Sequence, residues 1–172
     1  DDSHWQIEIL YKDETMVGKS TATNNGLGIT LHFEDAVYNE KNILIRKITV
    51  TNNFDYAREV KVFLGSQFHL FANKTGDTGF FDPSDNTLVH YKGRRVIVIG
   101  GKSDEESFSD YSIGVFGIEG KLGTWLDAED GQLSKNPIEH GPVDSIIGFG
   151  KQLDAKKSHT FVEWYVIAKS LK

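Results

Sequence analysis

The densest run of chemically capable side chains lies at residues 125–145, which hold Trp125, Asp127, Glu129, Asp130, Asn136, Glu139, His140 and Asp144. Glycoside hydrolysis uses two carboxylates a few ångströms apart, one as acid and one as base or nucleophile, which gives Asp127, Glu129 and Asp130 a catalytic reading. A calcium-loop reading fails on spacing. Counted from Asp127, the glycine (Gly131) is fifth rather than sixth, and the twelfth position is Ile138 rather than a glutamate. The competing reading is a structured polar loop. Its acids would cap a short helical turn ended by Gly131, and Asn136-Pro137 and Gly141-Pro142 would fix tight turns. Structural networks also collect such residues, and the loop reading is preferred on that ground.

Other motifs fail outright. Gly18-Lys19-Ser20 and Gly101-Lys102-Ser103 look like the end of a phosphate-binding loop, but the glycine required five residues upstream is Asp13 in one and Val96 in the other. Gly26-Leu27-Gly28 and Gly148-Phe149-Gly150 lack the third glycine and the βαβ setting of a dinucleotide fingerprint and read as turn or bulge glycines. The histidines His4, His32, His69, His90, His140 and His159 form no pair at ligand spacing, and neither His-Glu-x-x-His nor Gly-x-Ser-x-Gly occurs. Asn73-Lys74-Thr75 is a glycosylation sequon that matters only in a secreted eukaryotic protein. No cysteine is present, so disulfides, thiolate metal sites and thiol nucleophiles are excluded. No cofactor or metal is expected.

The elements that must carry these residues read as strands. Seventeen glycines, three prolines and 12% aromatics suit many strands joined by glycine- and asparagine-rich turns. Segments rich in β-branched and aromatic residues predict strands at 6–11, 27–33, 43–51, 59–71, 94–99, 112–118, 146–152 and 160–168. Turns are expected at 24–26, 52–53, 74–77, 82–86 and 102–106. At 59–63, Val60 and Val62 point one way and Glu59 and Lys61 the other, as in a half-exposed strand. At 161–168 both faces are apolar, which predicts a strand inside a large sheet with Phe161 and Trp164 in the core. Eight or more strands without helices argue for two packed antiparallel sheets. At 172 residues, with no linker or repeat, the chain reads as a single all-β domain. Thirty-eight per cent hydrophobic and 26% charged residues exclude a disordered tail. No apolar run is long enough to span a membrane as a helix, and Asp1-Asp2-Ser3-His4 is not a leader. A net charge of −6 without a basic block argues against nucleic acid as a partner. A cytoplasmic home fits the absent cysteines.

At this point the order of the motifs resembles a known family. The run 127–131 (Asp-Ala-Glu-Asp-Gly), followed by Leu133-Ser134, Asn136-Pro137-Ile138, His140-Gly141 and Val143-Asp144-Ser145, is similar to the N-terminal domain of glycoside hydrolase family 15 proteins. These are bacterial and archaeal glucoamylases with their relatives, glucodextranases and archaeal trehalases. Arg46 leading into Val50-Thr51-Asn52, then Arg58-Glu59-Val60, Gly76-Asp77-Thr78 and His90-Tyr91-Lys92-Gly93-Arg94 agree in order. The similarity runs from about Trp5 to the C-terminus.

The resemblance implies a two-layer antiparallel β-supersandwich of the galactose mutarotase-like kind. It also implies that the two catalytic glutamates of an inverting hydrolase belong to a following (α/α)6 barrel, reached through a linker that would start at residues 169–172. Strands expected before Trp5 would be missing as well. No catalytic residue transfers to this chain. The expected function is that of a non-catalytic N-terminal domain of a glucoamylase-type α-glucan hydrolase (a glucan 1,4-alpha-glucosidase), with its own barrel as partner. Trp125, Asp127, Glu129, Asp130, Asn136, His140 and Asp144 are the expected interdomain surface. Alternatives are the same role in an archaeal trehalase, or an α-glucan-binding module that stacks sugar on Trp5, Trp125 or Tyr91.

Overall fold

The computed structural model describes residues 4–73 and 75–170. Asp1-Asp2-Ser3, the central lysine of the sequon (Lys74, also the first residue of the turn expected at 74–77) and Leu171-Lys172 lie outside the described residues. Among the described residues the chain is a two-layer antiparallel β-sandwich with a short 3-10 turn at Leu70–Ala72. The strands are β1 (Gln6–Tyr11), β2 (Gly18–Asn24), β3 (Ile29–Tyr38), β4 (Ile43–Asn52), β5 (Arg58–Gln67), β6 (Asp77–Asp82), β7 (Thr87–Lys92), β8 (Arg95–Ser103), β9 (Glu106–Ser107), β10 (Asp110–Ile118), β11 (Lys121–Leu122), β12 (Ile138–Gly141), β13 (Val143–Leu153) and β14 (Ser158–Ala168).

Ten strands form one sheet in the order β1-β2-β3-β4-β14-β8-β7-β6-β12, with β9 attached to β8. The second sheet has four, in the order β11-β10-β13-β5. Register follows from which face each side chain must bury. Phe161 stands opposite Ile48 on β4 and Ser103 on β8, and Ile48 opposite Phe33 on β3, so one row of side chains crosses the broad sheet on its inner face. Val60 of β5, Ile113 and Val115 of β10, and Val143, Ile147 and Phe149 of β13 descend from the smaller sheet to meet that row. Each large apolar side chain buried in this way contributes roughly 1.5–3 kcal/mol. The layers approach closely at Gly79 and Gly101, where an added Cβ would lie 2.6 Å from Val143 and 2.7 Å from the Phe149 ring.

The expected strands are present, with shifted ends. β1 has the expected limits, while β3, β8 and β13 run several residues further and β5 stops at Gln67, short of the expected 71. Strand β14 sits between β4 and β8, inside the large sheet as its apolar faces require. Phe161 is fully buried on its inner face. Trp164 is a correction to the core expectation: it is half-buried on the outer face, lying flat over Gly100, where a Cβ would come within 2.3 Å of its ring. Strands β2, β6, β7 and β12 and the two-residue strands β9 and β11 had no counterpart in the sequence reading. Of these, β12 falls within the stretch 125–145 expected to be free of strands, and it adds the last strand to the broad sheet through Ile138 opposite Phe80.

Candidate functional site

Residues 123–137 lie across the outer face of the four-stranded sheet, over the small residues Ser112 and Gly114 of β10. Thr124 packs on Gly114 so closely that a Cβ there would lie 2.7 Å from the threonine methyl. The segment winds through successive tight turns, with Asp127 N bonded to Thr124 O, Glu129 N to Leu126 O and Gly131 N to Ala128 O at 3.0–3.3 Å. Gly131, at φ 79°, ends the turns in the left-handed region that glycine adopts without strain. Beyond it the chain is tied to β10 at every step. Leu133 N donates to Asp110 Oδ2 at 2.9 Å, Ser134 Oγ meets Ser112 Oγ at 2.9 Å, and Asn136 Nδ2 donates to Ile113 O at 2.8 Å. Lys61 Nζ reaches from β5 to Gly131 O at 2.8 Å.

The acids of this segment are largely engaged by the loop's own donors. Asp127 Oδ2 accepts from both the N–H and the hydroxyl of Ser134 at 2.9 Å, and Asp130 Oδ1 accepts from Gln132 N at 2.9 Å. Buried Asp144, on β13, accepts from Thr124 N at 2.6 Å and Thr124 Oγ1 at 2.8 Å, while its other oxygen is buried without a partner. Asn136 bridges Ile113 O and Glu139 Oε1, and His140 Nδ1 lies 2.9 Å from Thr78 Oγ1 across the β12–β6 pair. Glu129 is exposed. Asp127 and Glu139 line an open cavity of about 270 Å³ with Thr124, Ser134 and Asn136, whereas Glu129 and Asp130 lie outside it. The expected surface residues are only partly brought together: Trp125, Asp127, Glu129 and Asp130 share the loop, whereas Asp144 is buried beneath it and His140, opposite Thr78, stands on the outer face of the broad sheet. Trp125 stands at the tip of the loop, 54% exposed, with its indole N–H fixed to Leu122 O at 2.9 Å. The other two aromatics considered for stacking are engaged. Trp5 packs against the core, and half-buried Tyr91 meets Phe80 edge-on.

A second polar cluster, under β5, escaped the sequence reading. Glu163 is completely buried on the inner face of β14. Tyr165 donates to Glu163 Oε1 at 2.7 Å and Ser66 Oγ lies 3.0 Å from the same phenol oxygen, while Glu163 Oε2 has no hydrogen-bond partner and Arg46 Nη1 stands 3.9 Å away. Arg46 is itself held by Asp35 through two bonds at 2.8 and 3.2 Å. Burial pushes the Glu163 carboxyl above the usual carboxylate range, against the opposing pull of the Tyr165 hydrogen bond and the Arg46 charge. The cluster borders an apolar cavity of about 340 Å³ walled by Leu44, Phe68, Ile97 and Ile167. The arrangement ties β14 to β5 through Tyr165 and Ser66, and to β4 and β3 through Arg46 and Asp35. The signal was present: a glutamate in the middle of the apolar run 161–168 is either buried and paired or faces solvent.

The residues that carry the family resemblance are fasteners of the same kind. Asn52, fully buried, donates to Tyr56 O and Asp154 O and accepts from Phe54 N, locking the turn after β4 to the one after β13. Asp77 is buried 3.4 Å from Lys92 Nζ, which also holds Asn73 Oδ1 and Thr75 O. His90, buried against Phe68, lies 2.7 Å from Ser145 Oγ, and its burial pulls its pKa down to about 4.

No family model matches the chain. It is 27% identical over 164 residues to an uncharacterized glycosyl hydrolase of Methanocaldococcus jannaschii, a match that covers 93% of this chain and 25% of that protein. A bacterial glucoamylase solved with acarbose shares its fold at a TM-score of 0.75 and 13% identity, over 98% of this chain and 24% of that one. Heparinase III superposes more loosely, at a TM-score of 0.55 and 11% identity, over 95% of this chain and 21% of its own. The chain thus spans about a quarter of the length of the proteins it matches; it is similar in sequence to a glycosyl hydrolase and has the sandwich fold found in a glucoamylase.

Proposed function

We propose that this chain serves as the non-catalytic N-terminal domain of a glucoamylase-type α-glucan hydrolase, supporting the folding and packing of a catalytic (α/α)6 barrel. The observation that carries the reading is the loop at 123–137, whose carboxylates are used to hold its own backbone while its outer surface stays polar and stiff. A surface already ordered loses little entropy on contact, which suits docking against another domain. The similarity to a quarter of a glycosyl hydrolase supports the same reading. Trp125, Asp127, Glu129 and Asp130 form the docking surface, Asn136 and buried Asp144 hold the loop in place, and the isolated chain hydrolyses nothing. The same role in a trehalase is the neighbouring alternative.

The test is a chimera in which this chain replaces the matching quarter of the M. jannaschii protein. A soluble, cooperatively melting chimera is expected. Asp130→Ala with Trp125→Ala should lower its melting temperature more than that of the isolated chain, and equal effects in both would remove the interface assignment. A second reading, sugar binding, is favoured by one feature: the immobilised, exposed indole of Trp125, the kind of platform on which a pyranose stacks. Retarded migration of the chain in a gel containing soluble starch, lost in Trp125→Ala, would support that reading over simple packing.

A further inference from the structure

The motif Gly148-Phe149-Gly150, read from sequence as turn or bulge glycines, lies instead in the middle of β13, where the chain does not turn. The register against β5 runs unbroken from Asp144 opposite Gln67 to Leu153 opposite Arg58, so no bulge accounts for the glycines. Neither has a positive φ. Glycine inside a strand costs stability and marks a place where something approaches the backbone closely. At Gly148 that neighbour is internal: a Cβ would meet the Phe63 ring at 3.0 Å and Asp110 Cβ at 3.2 Å. At Gly150 the fold leaves the space empty. A Cβ there would have only Glu59 Oε1 near it among the described residues, at 3.5 Å.

Directly opposed residues of antiparallel neighbours share a face. Asp110, Gly148 and Phe63 therefore form one row, and Gly150 with Lys61 the next, on the outer face of the four-stranded sheet. The two glycines floor a cleft of about 350 Å³, closed on the far side by Gly131 to Leu133 and by Lys135. That volume lies within the ~300–1,000 Å³ of small-molecule sites. None of its lining residues belongs to the docking surface named above.

We infer that this cleft binds an uncharged sugar. Its charged lining residues cancel, Glu59 and Asp110 against Lys61 and Lys135, which suits a neutral molecule rich in hydroxyls better than an ion. The half-buried ring of Phe63 supplies the apolar surface on which the C–H face of a pyranose rests. Glu59, Gln132 and Lys135 bring an acceptor, an amide and a donor, and their side chains make no hydrogen bond or ion pair among the described residues. The cleft is already formed. Lys61 Nζ is fixed to Gly131 O at 2.8 Å, Leu133 N to Asp110 Oδ2 at 2.9 Å and Lys135 N to Tyr111 O at 3.1 Å, so little ordering entropy is lost when a ligand enters. This site depends neither on the packing role nor on the Trp125 indole.

Titration of the isotope-labelled full chain with maltotriose, cellotriose and trehalose, followed through its amide resonances, tests this. Gly148, Gly150 and Gln132 should shift and saturate in the millimolar range with at least one of these sugars. Gly150→Val puts a strand-favouring side chain into the cleft where the fold leaves room, so it should weaken binding at least about tenfold without lowering the urea midpoint. Gln132→Ala, at an exposed side chain, should weaken it as well. Gly65→Val makes the same change on the same face of β5, outside the cleft and with nothing within 4 Å of its Cβ, and should bind as the wild type does. Absence of saturable shifts with all three sugars overturns the proposal. Shifts confined to the Trp125 indole, binding that neither Gly150→Val nor Gln132→Ala weakens, or equal weakening by the two valines overturns it as well.

Discussion

At the scale of single residues, the molecule is held by polar groups buried among apolar ones, and their protonation makes stability depend on pH. His90 is neutral in the fold, with a pKa of about 4 against 6.5 for the free side chain, so between those values the unfolded chain binds a proton that the folded chain refuses. Stability from this group is complete above pH 6.5 and is lost as pH falls toward 4. About 2 kcal/mol should be gone by pH 5, at 1.36 kcal/mol per pH unit. Glu163 works in the opposite sense. Its raised pKa means that the buried carboxylate costs stability at neutral pH, and this cost is relieved as acid protonates it. Urea melts at pH 7 and pH 5 should therefore show a loss in the wild type that His90→Gln largely abolishes. A loss of the same size in His90→Gln would mean that other groups carry it.

At the scale of elements, the loop over the four-stranded sheet depends on a few side-chain acceptors rather than on a strand partner. Asp127 satisfies two donors of Ser134, so Asp127→Ala should cost about 1–2 kcal/mol, read as a shift in the urea midpoint with unchanged slope. A cost near zero would show that the turns hold themselves. How far such elements could be read from sequence follows from what covers them. Strands under the second sheet, such as β4, β13 and β14, announce themselves by β-branched and aromatic residues because another layer selects them. Strand β2, Gly18-Lys19-Ser20-Thr21-Ala22-Thr23-Asn24, lies where no layer sits above it, and its small polar residues read as turn or loop. Strand β12 is short and bracketed by prolines, so Pro137 and Pro142 masked it. The stretch 125–145 was read as a capped polar loop, which holds for 125–137, where Asp, Ser, Asn and Gly residues act locally, and fails beyond it at β12 and the start of β13. Glu163 was not read, since the contacts that tolerate a buried carboxylate come from Arg46, more than a hundred positions away.

At the scale of the whole molecule, the chain is a sandwich similar to a quarter of a glycosyl hydrolase, in which Asp127 and Asp130 are engaged by their own loop, and the docking role proposed above rests on that stiffness. The all-β class and two-layer packing followed from strand patterning, and the resemblance in 127–145 pointed to the same relatives that fold and sequence comparison found. The central claim is that this chain lacks hydrolytic activity of its own, and glucose release from maltose, maltotriose, starch and trehalose by the purified chain tests it most directly. Release indistinguishable from buffer is expected on all four. Turnover well above buffer that disappears in Asp130→Asn would contradict the account and return the acidic loop to the role of an active site.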